Sequence, residues 1–191
     1  MLKFLFKKPK MSVLSYDELV ELVRQGVITA EVENINASSI DITLDSMILL
    51  ESEPTFHKDV NLAKKENIET IPYQMDERGY GIQPDEFVLA SSREIFNLPN
   101  DISAEYKLKS SLARNGLEHL NAGWCDAGWN GSKLTLEFKN VNRFHELIIE
   151  PNMKCGQVIF YRHKKVPDFA SYAVKGRYNN QSEVTASKGV K

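Results

Sequence analysis

The chain has 191 residues, 42% of them hydrophobic and 26% charged, as expected for one globular domain. Its net charge of −2 argues against a nucleic-acid polymer as partner, since polyanion binding usually requires a basic excess. A single nucleotide needs only a few cations in one pocket and stays open as a ligand. Two cysteines, Cys125 and Cys155, exclude a disulfide framework and indicate reduced thiols in a cytoplasmic protein.

Residues 1–10 are basic and apolar, and we expect them to form a disordered extension ahead of a functional start at Met11. Their apolar run, residues 4–6, is too short for the core of a signal peptide. No window of the chain approaches the roughly 20 apolar residues of a membrane span, so no membrane partner is predicted. A weak membrane-surface anchor is the alternative interpretation of residues 1–10. Residues 11–191 are predicted to form a single domain.

The first predicted element is a short amphipathic helix over residues 16–25. Ser15 and Glu18 form the pattern of a capping box, apolar residues follow at helical spacing, and Gly26 is a typical stop. A second short helix is predicted around residues 110–115.

The remainder of the chain is dominated by short runs in which apolar and polar residues alternate, as they do in half-buried strands. Turn residues such as Pro84 and Asn130-Gly131 separate these runs. Many short strands at this spacing predict an all-β sandwich or barrel with few helices. Apolar residues thin out from Gly176 onward, so residues 176–191 are expected to be flexible. The runs are residues 39–45, 81–83, 86–90, 133–138, 147–150 and 157–161.

The sequence lacks the ligand pattern of the zinc-dependent cytidine deaminases. Those enzymes need a His-x-Glu and a Pro-Cys-x-x-Cys, so that the zinc ligands and a proton-carrying glutamate converge. None of the four histidines here begins a His-x-Glu, and the two cysteines lie far apart in the sequence. No zinc site is therefore predicted. The phosphate-binding P-loop and the nucleophile elbow are absent from the sequence as well.

One polar cluster, Lys109-Ser-Ser-Leu-Ala-Arg114, places two cations and two hydroxyls within six positions. Such a cluster suits an oligophosphate, because hydroxyls donate directional hydrogen bonds while the cations supply charge. Residues 110–111 equally suit the cap of a helix with a solvated face, and the sequence does not separate these two interpretations.

A second cluster lies between residues 121 and 138. Asp126 stands among glycines and two tryptophans, as expected of a tight turn that holds a carboxylate against a ring-binding pocket. The alternative is a hairpin in which Asp126 only organises the turn. The alternation that follows places Glu137 beside Thr135, opposite Leu134 and Leu136. Glu137 is thus either a site residue or an ordinary outward carboxylate.

These segments together resemble the dCTP deaminase family of the dUTPase-like superfamily. The similarity runs from about residue 12 to about residue 188, and its motifs occur in the family's order. They are Ala37-Ser-Ser-Ile-Asp-Ile-Thr-Leu44, Ser110-Ser-Leu-Ala-Arg-Asn-Gly-Leu117, Ala122-Gly-Trp-Cys-Asp-Ala-Gly-Trp-Asn-Gly131, Leu134-Thr-Leu-Glu137, Met153-Lys-Cys-Gly-Gln157 and Gly176-Arg-Tyr-Asn-Asn-Gln181.

The resemblance implies a mostly β fold, a distorted antiparallel β-barrel with a short N-terminal helix and few others. It also implies a homotrimer whose active sites combine residues of neighbouring subunits. Glu137 matches the catalytic carboxylate, which would deprotonate a water, protonate ring N3 and supply a proton to departing ammonia. Ser110 and Arg114 match the residues that complete the water-binding pocket, and Arg114 also favours an ionised Glu137.

Further matches concern the substrate. Asp126 falls where the family contacts the sugar, and in bifunctional relatives this residue is also implicated in phosphate hydrolysis. Mg²⁺ is implied, carried by the phosphates of the nucleotide rather than by a protein cage. The resemblance places the remaining substrate-binding or C-terminal lid residues at Lys109, Ser111, Thr135, Gln157, Tyr172, Arg177 and Gln181.

The chain departs from the family pattern at a few positions. Lys109 replaces the usual arginine, so a compact ammonium stands in place of a guanidinium that could bind phosphate through two parallel N–H groups. Arg177 stands where lysine is common. Between Asp126 and Glu137 the chain is one residue longer, through residues 132–133, which predicts a bulge or a longer turn.

The predicted function is therefore hydrolytic, zinc-independent deamination of dCTP to dUTP and ammonia in the cytoplasm, a hydrolase reaction on a cyclic amidine. One alternative is a bifunctional deaminase–diphosphatase that yields dUMP and pyrophosphate; Gly123 favours it by leaving room for a second water. A dUTPase-only enzyme would need Asp126 but not Glu137. An inactive nucleotide-sensing member of the family is the remaining alternative.

Overall fold

A computed structural model describes residues 11–54 and 59–189. The predicted extension, residues 1–10, lies outside the described residues. Strand is the main regular structure of the described chain, in twelve segments β1–β12: Ser12–Val13, Ile40–Thr43, Met47–Glu51, Thr70–Gln74, Tyr80–Ile82, Phe87–Asn97, Ile102–Leu108, Leu117–His119, Trp124–Cys125, Asn130–Asn140, Leu147–Ile149 and Lys154–Arg162. The α-helices α1–α3 are Tyr16–Arg24, Ser110–Ala113 and Tyr172–Lys175, and three 3-10 helices cover Val32–Asn34, Leu62–Lys64 and Asp168–Ala170.

The first helix, α1, confirms its prediction. The side chain of Glu18 reaches back to the backbone N–H of Ser15 at 3.2 Å, which forms the capping box. Leu19 and Leu22 are buried one turn apart on its inner face. The helix ends at Arg24, and Gly26 follows with a φ of +71°, in the left-handed region that glycine enters at low cost.

The strands form three antiparallel sheets. In the first, the order is β1-β12-β7-β9, and β2 pairs with β12 outside that path. In the second, the order is β4-β3-β6-β10-β8, so that β10 lies between β6 and β8. The third is the pair β11-β5. A mostly β architecture with few helices was predicted, and the structure confirms it.

Both five-stranded sheets contribute to a single apolar core. Phe96 and Phe138 of the second sheet and Phe160 of the first are fully buried. Burial of one such side chain stabilises a fold by roughly 1.5–3 kcal/mol. Along β10, Leu134, Leu136 and Phe138 are buried while the residues between them are half-buried, as the alternation in the sequence predicts.

Several strands are longer than predicted or were missed. Strand β6 was predicted to end at Ala90 but runs to Asn97 through two buried serines. The polar pair Ser91-Ser92 looks like a strand end in the sequence. Ser92 is tolerated inside the sheet because its Oγ accepts a hydrogen bond from the backbone N–H of Leu134 at 2.9 Å, whereas the buried Oγ of Ser91 has no hydrogen-bond partner. Strands β3, β4 and β7 were not predicted at all.

Among the described residues, no helix has the length and apolar character needed to cross a membrane.

Candidate active site

A cavity of about 440 Å³ lies over one face of the second sheet. Phe87 and Leu89 on β6 and Thr135 and Glu137 on β10 contribute to its floor. Glu137 pairs with Leu89 across the two strands, so both side chains point into the cavity. The other walls come from the segment before β4, from the turn after β9 and from the C-terminal tail. Two predicted site residues thus share one face, as their spacing of two in a strand requires.

Glu137 is half-buried, and its Oε2 atom is buried without a hydrogen-bond partner. The side chain of His119 on β8 lies beside it, with Nε2 3.3 Å from Oε2 but without the geometry of a hydrogen bond. His119 is itself held against the ring of Tyr106, with 4.7 Å between ring centroids. A buried carboxylate oxygen without a partner is costly in a fold, and this one belongs to a side chain that lines the cavity.

Asp126 lies at the rim of the same cavity, in the turn after β9. Its backbone carbonyl accepts from Trp129 N at 3.1 Å, and Gly128 adopts a φ of +88° within the turn. Its carboxylate accepts from the indole Nε1 of Trp124 at 3.0 Å. The turn is therefore closed by backbone groups and glycine, and the carboxylate remains exposed at the cavity. Gly123 lies just before this turn. A Cβ atom on residue 123 would come within 2.7 Å of the carbonyl oxygen of Tyr106, so the backbone packs too closely there for a side chain.

The pairing of β10 with β6 is irregular between Asp126 and Glu137, with one additional residue on β10 at the first irregularity and additional residues on β6 at the second. The register shifts between Asn130 and Ser132 and again between Lys133 and Thr135. Gly131 takes a φ of +61° at the first shift. The prediction of a bulge here is confirmed, and regular pairing resumes before Glu137.

The C-terminal tail, residues 176–189, lies along the edge of the cavity. The indole of Trp129 donates to the carbonyl of Tyr178 at 2.6 Å, and Lys133 N donates to the carbonyl of Gln181 at 2.8 Å. Gln181 is buried, and its Nε2 atom has no hydrogen-bond partner, although it lines the cavity. The tail therefore packs on the domain in this conformation. That it works as a flexible lid stays a prediction.

A second cavity of about 460 Å³ adjoins the first. Asp126, Tyr172 and Tyr178 line both cavities and form the wall between them. The second cavity adds the cations Lys175 and Arg177. Two cations beside a carboxylate suit a bound polyanion with an associated metal ion. Burial raises the pKa of the Tyr172 phenol, so this group stays a neutral hydrogen-bond donor.

The cluster at residues 109–114 does not line the cavity of its own chain. Ser110 and Ser111 lie within α2 rather than capping it, since the N-cap position is Lys109. Ser110, Ser111 and Arg114 are exposed. The structure of one chain thus separates these residues from Glu137.

Two further predicted phosphate-binding residues have partners within the domain. The ammonium of Lys109 lies 2.7 Å from the buried carboxylate of Asp41, which Lys154 also approaches at 3.2 Å. Burial alone would raise the pKa of Asp41, but hydrogen bonds from Lys109, Asn36 and Lys154 outweigh it and hold the pKa below its usual value. Gln157 accepts from the hydroxyl of Ser39 at 2.9 Å.

Sequence reasoning missed several residues that the structure brings to the cavity. Asn67, Ile68 and Thr70 line it from the segment before β4, and His119 lies beside Glu137. No local pattern marks residues 67–70, because their contact with the cavity depends on long-range pairing of β4 with β3. Among the described residues, no group of three or more His, Cys, Asp or Glu side chains is arranged to hold a metal ion.

Residues 13–163 match the dCTP deaminase-like family. A protein of Persephonella marina named dCTP deaminase, dUMP-forming is 35% identical over 171 residues, which cover 90% of this chain and 92% of that protein. A protein of the same name from Sulfurihydrogenibium is 36% identical over 154 residues, which cover 81% of this chain and 82% of that protein. Another from Rhodococcus opacus is 31% identical over 168 residues, which cover 86% of this chain and 88% of that protein.

Among solved structures, the 2'-deoxycytidine 5'-triphosphate deaminase of Agrobacterium tumefaciens superposes with a TM-score of 0.63 and 18% identity. The match covers 80% of this chain and 49% of that one, and it shows the fold alone. The fold and cavity define a mostly β domain with a largely apolar pocket that contains two carboxylates. With the family match over most of its length, the chain belongs to the dCTP deaminase-like family.

Proposed function

We propose that the protein converts dCTP to dUMP, ammonia and pyrophosphate, with one water consumed at C4 of the base and a second at the α-phosphate. The observation that carries the proposal is that Asp126 and Glu137 line one cavity. Deamination to dUTP was ranked first from the sequence. The relatives named dUMP-forming favour the bifunctional alternative instead.

Glu137 is proposed as the proton carrier of the deamination. Glu137 lines the cavity and its Oε2 has no hydrogen-bond partner, so its carboxylate is proposed to take a proton from water and pass it to ring N3 and then to the leaving amine. A dUTPase-only enzyme would have no use for a buried, unpartnered carboxylate at this position. His119, 3.3 Å away, limits the orientations of the carboxylate.

Asp126 is proposed to contact the sugar and to activate the second water. It lines both cavities, so it lies between the base pocket and the cations Lys175 and Arg177. The triphosphate would then extend into the second cavity, where the guanidinium of Arg177 would exchange its present acceptors, the carbonyls of Lys188 and Gly189, for phosphate oxygens. Mg²⁺ would arrive with the phosphates and draw charge from the leaving pyrophosphate. The proposed chemistry needs no zinc, because Glu137 would deprotonate the water and hydrogen-bond donors would hold it in position.

A homotrimer is proposed to complete the site. Ser110 and Arg114 match the residues that hold the reacting water, yet they are exposed and do not line the cavity of their own chain. A neighbouring copy that presents its α2 to the cavity would bring them to Glu137, together with Ser111. The exposed α2 supports this arrangement.

The test is incubation with dCTP and excess Mg²⁺, followed by chromatographic identification of every product. We expect dUMP and pyrophosphate in step with ammonia, and a zinc-selective chelator should not slow the reaction. Accumulating dUTP would reject coupling and return deamination alone as the function. Binding of dCTP without any product would instead indicate a nucleotide sensor.

Asp126→Asn separates the two hydrolytic steps. If Asp126 activates the second water, this variant should release pyrophosphate at least about a hundredfold more slowly, the usual scale for loss of a general base. Ammonia release should fall less, and dUTP should accumulate. A variant that still forms dUMP at the full rate would remove Asp126 from the second step.

A further inference from the structure

The first cavity contains a polar residue that neither the motifs nor the proposed mechanism uses. Among the described residues, six buried side-chain atoms lack a hydrogen-bond partner, and three of them belong to residues that line this cavity. Two belong to predicted site residues, Glu137 Oε2 and Gln181 Nε2. The third is the carboxamide oxygen Oδ1 of Asn67. Asn67 therefore has the same structural signature as residues to which a ligand contact is already assigned.

The segment that carries Asn67 is held over the cavity at both ends. At its start, Asn61 Oδ1 accepts from Lys64 N at 3.2 Å, and Glu66 accepts from Asn61 N at 2.8 Å. At its end, Thr70 enters β4 and pairs with Glu51 of β3. The tail also packs against it, since a Cβ on Gly189 would lie 2.6 Å from that of Lys65. The position of Asn67 is thus fixed by contacts that do not involve its own carboxamide oxygen.

The distribution of charge around the two cavities indicates which part of a nucleotide Asn67 meets. The second cavity contains Lys175 and Arg177, whereas the described residues that line the first include no lysine or arginine. Asp126 lies at the boundary between the two. A nucleotide with its phosphates at the cations and its sugar at Asp126 would place its base in the first cavity. Phe87 and Leu89 offer apolar surface for the ring there.

We propose that Asn67 reads the substituent at C4 of the pyrimidine and so sets the preference between cytosine and uracil. The amine of cytosine carries two hydrogens, so it can donate one hydrogen bond to Glu137 and the other to Asn67 Oδ1. Uracil presents an acceptor at the same position, and binding it requires the carboxamide to turn and donate its N–H instead. The inference rests on the proposed function, because it takes a pyrimidine nucleotide as the ligand of this cavity.

The experiment measures dissociation constants for dCTP and dUTP by calorimetry with Mg²⁺ in a Glu137→Gln background, in which deamination does not interfere. The readout is the preference, the ratio of the dUTP constant to the dCTP constant. Asn67→Asp keeps two acceptors and no donor, so the preference for dCTP should rise about tenfold. Asn67→Ala removes the acceptor, so the preference should fall about tenfold.

The matched control is Asn61→Ala on the same segment. It removes the cap of the 3-10 helix Leu62–Lys64 without touching the cavity lining, so it reports what loosening the segment does. Both nucleotides should then weaken by the same factor, with the preference unchanged. Opposite shifts in the two Asn67 variants support the proposal. An unchanged preference, or a shift in the same direction in both, overturns it; if Asn67→Ala does not fold, the rise in Asn67→Asp decides alone.

The two proposals fail differently. Ammonia release by the unmodified protein tests the deamination, and its absence would sink the proposed function while leaving the nucleotide preferences measurable. Normal ammonia release together with unchanged preferences would remove Asn67 from base recognition and leave the proposed function intact.

Discussion

The two halves of the predicted site differ in how the chain holds them. The cavity half, with Glu137, Thr135 and Gln181, is built into β10 and the tail, and it keeps buried polar atoms without partners. The helix half, residues 109–114, is largely exposed, and its lysine already pairs with Asp41. One region thus lines a cavity, and the other lies mostly on the surface of the chain. A site divided in this way is what we expect when each subunit supplies half of it to a neighbour.

The largest effect should come from the cavity half. Glu137→Gln keeps the size of the side chain but removes its ability to carry protons, so ammonia release should fall by at least about a hundredfold. Binding of dCTP should persist, as measured by calorimetry. Near-normal ammonia release by this variant would show that Glu137 does not carry protons in the deamination.

Mixing variants tests whether the helix half acts in a neighbouring subunit. Arg114→Ala and Glu137→Gln should each be nearly inactive alone. If the two halves come from different chains of a trimer, random exchange of subunits in an equal mixture should restore about one quarter of the sites. Each half of a site then comes from the variant in which it is intact about half of the time, and both halves must be intact. Ammonia release before and after mixing measures this. Mixtures that stay as inactive as their components, or an active monomer in light scattering, would contradict the divided site.

Asp41 anchors the helix half, and its loss should lower stability. Asp41→Asn leaves Lys109 and Lys154 facing each other without the buried carboxylate, which should cost about 2 kcal/mol in the free energy of unfolding at pH 7. Because the pKa of Asp41 is lowered in the fold, this contribution is present above the unfolded-state pKa of about 4 and is lost as the pH falls through the folded-state value. Urea unfolding at several pH values measures the difference.

The control for Asp41 is Asp76, which bonds to Arg78 at 2.8 Å on the exposed surface. Asp76→Asn should leave the urea midpoint unchanged at any pH, because exposed ion pairs contribute little. Equal effects at the two positions would mean that Asp41 is not a specific anchor.

The smallest predicted effect concerns the tail. Trp129→Phe keeps an aromatic ring against Phe96 but removes the hydrogen bond to the carbonyl of Tyr178. Loss of about 1 kcal/mol of docking energy should make proteolysis of the tail roughly fivefold faster. Trp124→Phe is the matched control, because its indole bonds to Asp126 and not to the tail. Bound nucleotide should slow proteolysis of the tail in the Trp129→Phe and Trp124→Phe variants alike, if Arg177 and Gln181 contact it.

Local patterns predicted the elements that depend on local physics. The capping box of α1 and the alternation that turns Glu137 to the cavity are properties of neighbouring residues, and both were predicted correctly. Strand β6 was predicted to end at Ala90. No residue near Ser92 in the sequence indicates that its buried hydroxyl will accept a hydrogen bond from the backbone N–H of Leu134. The roles assigned to Ser110, Arg114 and Gln157 came from resemblance alone and stay predictions. Asn67 carries no local signal, since only the pairing of β3 with β4 brings its segment to the cavity.

The register shifts in β10 bear on how this strand tolerates changes of length in evolution. A single residue inserted into a regular strand would turn every later side chain to the opposite face. Here one residue of β10, Gly131, is left without a partner between Asn130 and Ser132, and Glu137 still lies opposite Leu89. A bulge at the start of β10 therefore accommodates an unpaired residue while the carboxylate stays on the cavity face of the strand.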